Sequence, residues 1–148
     1  MIKTGLVKKF ERENHVELPK DIDSEKMVIA SVLNNPLFMF KLEYLKREMF
    51  YEDKHSVIYD IIDRLQKSGV ENIDNSMIAN EIENTKAFKE RFKEVDNVRL
   101  YLNDLKADAR IDLEGVEFFA KKVVGSAFKR DSYIKLQNIG NTVLESKD

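Results

Sequence analysis

The residues best suited to acid–base or metal chemistry near neutral pH are the two histidines, His15 and His55. No H-x-x-x-H or H-E-x-x-H spacing gives either a second ligand on its own helix face. The chain has no cysteine, which excludes thiolate metal sites, cysteine nucleophiles and disulfides. Asp21 with Asp23 and Asp60 with Asp63 are carboxylate pairs, but in a chain with 35% charged residues such pairs belong on solvated helix faces. There is no G-x-S-x-G elbow and no G-x-x-x-x-G-K-[ST] phosphate loop, so acyl transfer and nucleotide hydrolysis lack their parts. His55 is expected to pack or hydrogen-bond near a helix start rather than serve as ligand or base.

Binding chemistry leaves more to weigh. Lys121, Lys122, Lys129, Arg130 and Lys135 recur near the C-terminal end and could line one side of a helix, as a candidate contact to DNA or to a partner. The net charge of −2, from 25 basic and 27 acidic residues, opposes a whole-surface attraction to nucleic acid. A solvated face is the expectation, with any DNA contact local. Phe38, Phe40, Tyr44, Phe50, Tyr51 and Tyr59 sit where filling a core is expected rather than stacking bases.

The elements that would position these groups are helical. Five glycines and two prolines leave few breakers among abundant Lys, Glu, Leu and Ile, which predicts an all-α fold: a compact multi-helix domain of one core. Residues 1–17 form a short amphipathic helix or a loose arm, residues 18–111 a helical globular domain, and residues 112–148 a long helix or helical-hairpin limb. Asp23 or Ser24 is expected to cap a first globular helix running to Asn34. Asn35-Pro36 then starts a second helix ending near Lys46. Asp53 is expected to cap a third, with Val57, Ile58, Ile61, Ile62 and Leu65 on one buried stripe and Gly69 as its stop. Asp74, Asn75 or Ser76 caps a short helix carrying Met77, Ile78 and Ile82. A short helix or turn holds Phe88 and Phe92, and Val95, Val98, Tyr101, Leu102 and Leu105 make another stripe.

From Asp112 to about Ser146, Val116, Phe119, Val123, Val124, Phe128, Ile134, Leu136, Ile139 and Val143 recur at three- and four-residue steps. One long helix or two segments fit, with Gly125 and Gly140 as places for a bend. Its first half is expected on the domain core and its second half on another chain. No stretch approaches the 18 or so apolar residues of a membrane span, and Met1 to Arg12 is too charged for a signal peptide. A cytoplasmic location is the expectation.

An ordered series of motifs adds to this. Leu18-Pro19, Glu25, Ala30-Ser31-Val32-Leu33, Phe50-Tyr51, His55, Ile58-Tyr59, Gly69 and Ile73-Asp74 resemble the N-terminal domain of DnaB-family replicative DNA helicases. Tyr101-Leu102-x-x-Leu105 resembles that family's "YLxxL" helix, and the run from Phe118 to Val123 with Lys129-Arg130 resembles its "YAxxV" and following basic pair. The "GG" that often precedes "YLxxL" is absent. The resemblance covers about residues 18 to 145 and implies that the long helix is the first limb of a protruding hairpin through which neighbouring domains pair.

It further implies an assembly and partner-docking domain in DNA replication that supports ring formation of a hexameric helicase and binds the primase C-terminal domain or a helicase loader. Self-association would fall on Phe118, Phe119, Val123 and Phe128. No cofactor is expected in these residues and no catalysis by this chain alone; ATP and magnesium belong to an ATPase domain that has no counterpart here. A phage or bacterial source is expected. Two rivals are a free-standing adaptor or decoy for a host helicase or loader, and a small DNA-binding regulator using Ser76 to Asn84, a helix without Lys or Arg.

Overall fold

A computed structural model describes residues 1–107, 109 and 112–145. Seven α-helices follow one another among them: α1 (Thr4–Asn14), α2 (Ile22–Asn34), α3 (Asp53–Lys67), α4 (Asn75–Asn84), α5 (Lys86–Arg91), α6 (Val98–Ala107) and α7 (Leu113–Glu145). No strand occurs among the described residues. The expected all-α fold is therefore the observed one.

Helix α2 is the centre. Val28, Ile29, Ala30, Val32 and Leu33 are each at most 2% exposed, so it is apolar on nearly every side, as a helix enclosed by others must be. Helices α3, α6 and α7 surround it, and α4 and α5 close the far side of α3 and α6. The N-cap of α2 is Asp21, whose carboxylate accepts from Ser24 N–H at 3.0 Å and from the Ser24 hydroxyl at 2.7 Å. The expected caps, Asp23 and Ser24, lie inside the first turn. Asp21 is the residue with the N-cap-to-N3 spacing from Ser24. Likewise Glu52 caps α3, and Asp53 is its first helical residue.

The expected second helix does not form. Residues Pro36–Lys41 and Arg47–Met49 are two short 3-10 turns. Met39, Leu42 and Leu45, all buried, are spaced by three, the repeat of a 3-10 turn and not of an α-helix. The buried Tyr59 hydroxyl donates toward the carbonyls of Leu42 at 3.2 Å and Leu45 at 2.9 Å, which would otherwise serve a continuing helix. Phe40 (60% exposed) and Tyr44 (40%) lie outside the core for the same reason, against the expectation that they fill it.

Elsewhere the stripes fall as expected. Val57, Ile58, Ile61 and Ile62 are buried on α3, and Ile78, Ile82, Leu102 and Leu105 are buried on α4 and α6. Gly69, at φ +83, ends α3 in a Schellman turn: Val70 N–H reaches the Leu65 carbonyl and Gly69 N–H the Gln66 carbonyl, each at 3.1 Å.

Candidate functional site

The motif residues converge on one polar hub under α7. Glu25, 1% exposed, accepts from Tyr51 N–H at 2.8 Å, from Glu52 N–H at 3.1 Å and from His55 Nδ1 at 3.1 Å. A carboxylate facing three donors sets Nδ1 as the protonated nitrogen of the buried imidazole. Arg130, 3% exposed, reaches from α7 to donate to the Pro19 carbonyl and the Met49 carbonyl, both at 2.9 Å, and stands over the Tyr51 ring at 5.6 Å. Burial pushes the Arg130 guanidinium below the usual arginine range, while Glu25 and Glu11 act in the other direction. Leu18-Pro19, Glu25, Phe50-Tyr51, His55 and Arg130 are thus one fastening that fixes where α7 crosses the body.

A cavity of about 310 Å³ beside His55 is lined by Ile22, Lys26, Glu52, Lys54, Tyr101, Asp104 and Leu105. Burial and the nearby Glu52 push the Tyr101 phenol up to about 12, so it stays protonated near neutral pH. His15 is exposed, at the end of α1. Asp60 sits between Arg47 at 3.1 Å and Arg64 at 3.5 Å, and Asp63 pairs with Lys67 at 2.9 Å. Among the described residues no three His, Asp or Glu side chains form a cluster able to hold a metal ion, and no helix is long and apolar enough to cross a membrane.

Helix α7 has two apolar faces where the sequence reading pooled one. Val116, Ala120, Val123, Ala127, Arg130 and Ile134 follow at four- and three-residue steps and are buried. About half a turn away, Phe118, Phe128, Leu136 and Ile139 are 54% to 68% exposed, with Gly125 and Ser132 at the intervening steps. Past Ile134 the body-facing positions become Gln137, Asn138 and Asn141, and every residue from Lys135 to Glu145 is exposed. The helix is docked through Ile134, and its last third is exposed.

Each expected contact residue can now be placed. Phe118 and Phe128 lie on the outer face. Phe119 is half-buried against the core and meets Phe118 edge-on at 5.3 Å. Val123 is 1% exposed inside the core, which removes it from any surface set. The basic residues do not form one row. Lys121 and Lys129 are exposed, and Lys122 stands 4.7 Å over the Phe118 ring. Arg130 is inside the hub, and Lys135 pairs with Asp131 at 2.8 Å. The sequence placed Leu136 and Ile139 in the half of the helix expected on another chain without naming them among the contact residues, and it did not single out Asp131. The signal for the first two was present in the change of the body-facing positions to amides after Ile134.

Comparison with known proteins bears on the family and the fold. The DnaB-like helicase N terminal domain family matches residues 17–123. Over 54 residues the chain is 35% identical to the replicative DNA helicase DnaB of Rickettsia prowazekii and to that of Rickettsia typhi, and 33% identical to that of Rickettsia felis. Each of these matches spans 36% of this chain and only 11% of the relative's length. The crystal structure of the N-terminal domain of DnaB helicase from Mycobacterium tuberculosis has the same fold, with TM-score 0.70 at 21% identity over 87% of this chain and 90% of that one.

Proposed function

Because this chain belongs to the DnaB-like helicase N-terminal domain family, we propose that it works in DNA replication as the assembly and docking domain of a replicative helicase, joining neighbouring copies into a ring and presenting a surface to the primase C-terminal domain or a helicase loader. The observation that carries this is the outer face of α7. A helix held rigidly by a buried arginine at its middle, then running on with Leu136 and Ile139 in solvent, is built to place an apolar surface away from the body. Phe118 and Phe128 extend the same face toward the body. The residues carry no phosphate loop, so ATP and magnesium belong to another part of such a helicase. The setting is the cytoplasm.

Direct DNA binding is a minor part of this reading, since Arg130 faces inward and Lys135 is paired. The test is sedimentation of the 148-residue chain over a range of concentrations, followed by titration with the cognate primase C-terminal domain. Concentration-dependent association that is lost in L136E, or a saturable primase complex, supports the proposal. A chain that stays monomeric and binds no primase overturns it.

A further inference from the structure

Apart from the Thr4 hydroxyl, which donates to the Phe50 carbonyl at 2.9 Å, helix α1 is held by contacts outside the main core. Val7, Leu18 and Ile134 form a small apolar cluster of their own, with Phe10, Val16 and Tyr51 packed around it. No residue of α1 belongs to the large cluster centred on α2. The surrounding contacts are directional. Ile2 N–H donates to Asp131 Oδ1 at 3.0 Å, and Glu11 accepts from the Tyr51 hydroxyl at 2.7 Å and from Leu18 N–H at 2.8 Å. Lys8 pairs with Asp53 at 3.5 Å, and Phe10 meets Tyr133 edge-on at 6.0 Å. The seat is therefore a helix-binding groove with an apolar floor and fixed polar ends.

The link between helix and groove is short and strained. Helix α1 ends at Asn14, and His15 takes the left-handed conformation at φ 53, which disfavours any residue with a Cβ. A few residues later the chain is pinned to the body by Arg130 at the Pro19 carbonyl. Straightening residues 15–17 would relieve the turn and carry α1 off its seat, breaking the Thr4–Phe50 hydrogen bond but no apolar contact of the main core, as expected of a separately opening unit.

We propose that this groove is a helix-binding site, closed in cis by the chain's own α1 and open in trans to the α1 of a second copy, so that two chains can exchange their first helices. Every contact in the seat is supplied equally by the second copy's α1, and the turn at His15 is relieved, which is the condition for exchange across a short strained hinge. The groove uses Asp131 and Ile134, on the body-facing side of α7. It is distinct from the outer face and does not rest on the function proposed for that face.

The test uses the full chain, which has no cysteine of its own. Phe10→Cys with Tyr133→Cys is equilibrated at micromolar and at near-millimolar concentration, then oxidised and run without reductant. The expected product is a covalent monomer when dilute and a rising share of covalent dimer when concentrated, unchanged by adding L136E. Covalent monomer at every concentration, or dimer that disappears with L136E, overturns the exchange. Hydrogen exchange of the wild-type chain decides if neither disulfide forms. Amides of α1 should exchange about tenfold or more faster than those of α3 and slow as concentration rises. Protection of α1 equal to that of α3, or rates indifferent to concentration, overturns it.

Discussion

At the scale of single residues, the arginine in the middle of α7 does what its sequence setting disguises. Arg130 stands beside Lys129 in a basic run, but its guanidinium satisfies two backbone carbonyls that no helix or strand reaches. Replacing it with methionine keeps most of the volume and removes both bonds. We expect R130M to lower the unfolding free energy by about 2–3 kcal/mol, read as a shift in urea midpoint at constant slope. A change below about 0.5 kcal/mol would show that the hub is dispensable. Acid sensitivity belongs to this scale too. Hydrogen bonds from the Ser24 hydroxyl and N–H hold Asp21 below its ordinary 3.8. For Asp131, burial raises the carboxyl, but the bonds from Lys135 and Ile2 N–H outweigh it and the net shift is downward. A depressed folded value adds stability that is present above the unfolded value and lost as pH falls through the folded one. Stability should therefore hold from neutral pH to about 4 and fall below it. D21N and D131N should each flatten that fall, which urea midpoints from pH 7 to pH 3 will show.

Among elements, the sequence was readable wherever apolar residues kept a 3.6 repeat. Helices α3, α4 and α6 appear with their stripes, and Gly69 stops α3 where a left-handed residue is needed. It failed between Pro36 and Met49, where a repeat of three and a tyrosine hydroxyl from α3 decide the backbone. Neither has a local signature. It also placed the caps of α2 and α3 late, because several acidic residues stand at each start and only the folded turn selects Asp21 and Glu52. Glycine gave a further lesson. Gly125 and Gly140 sit inside an unbroken α7, and a Cβ added at either meets nothing within 4 Å. G125A and G140A should each raise stability by about 0.5–1 kcal/mol, visible as a higher urea midpoint. A loss at either position would mean that the backbone there is not regular helix.

Over the whole molecule, what the sequence made legible was the family and the fold; the division of α7 into two faces was not. Helical spacing alone cannot say on which side of a long helix the body lies. Val123 and Phe128 therefore read as members of one stripe, although one is 1% exposed and the other 54%. The same division makes a sharp prediction for the outer residues. L136E and I139E should leave the thermal midpoint of the globule within about 2 °C of wild type, since neither side chain touches the core. Both should abolish the association made through the outer face, seen by sedimentation at micromolar concentration, and leave the exchange of first helices near millimolar concentration untouched. A large loss of stability in either variant would show that the far half of α7 folds back on the body.

Beyond Ile134 the helix runs on for about 16 Å at 1.5 Å per residue before Glu145. Such a segment is a lever, with its fulcrum at the Arg130 hub. Tilting it by about ten degrees about Arg130, some 22 Å from Glu145 at about 1.5 Å per residue, moves its tip about 4 Å while the residues at the fulcrum shift by only tenths of an ångström. A partner gripping Leu136 and Ile139 would thus exert torque on Arg130, and through it on the loops at Pro19 and Met49. The far end of α7 and the centre of the body are mechanically one part.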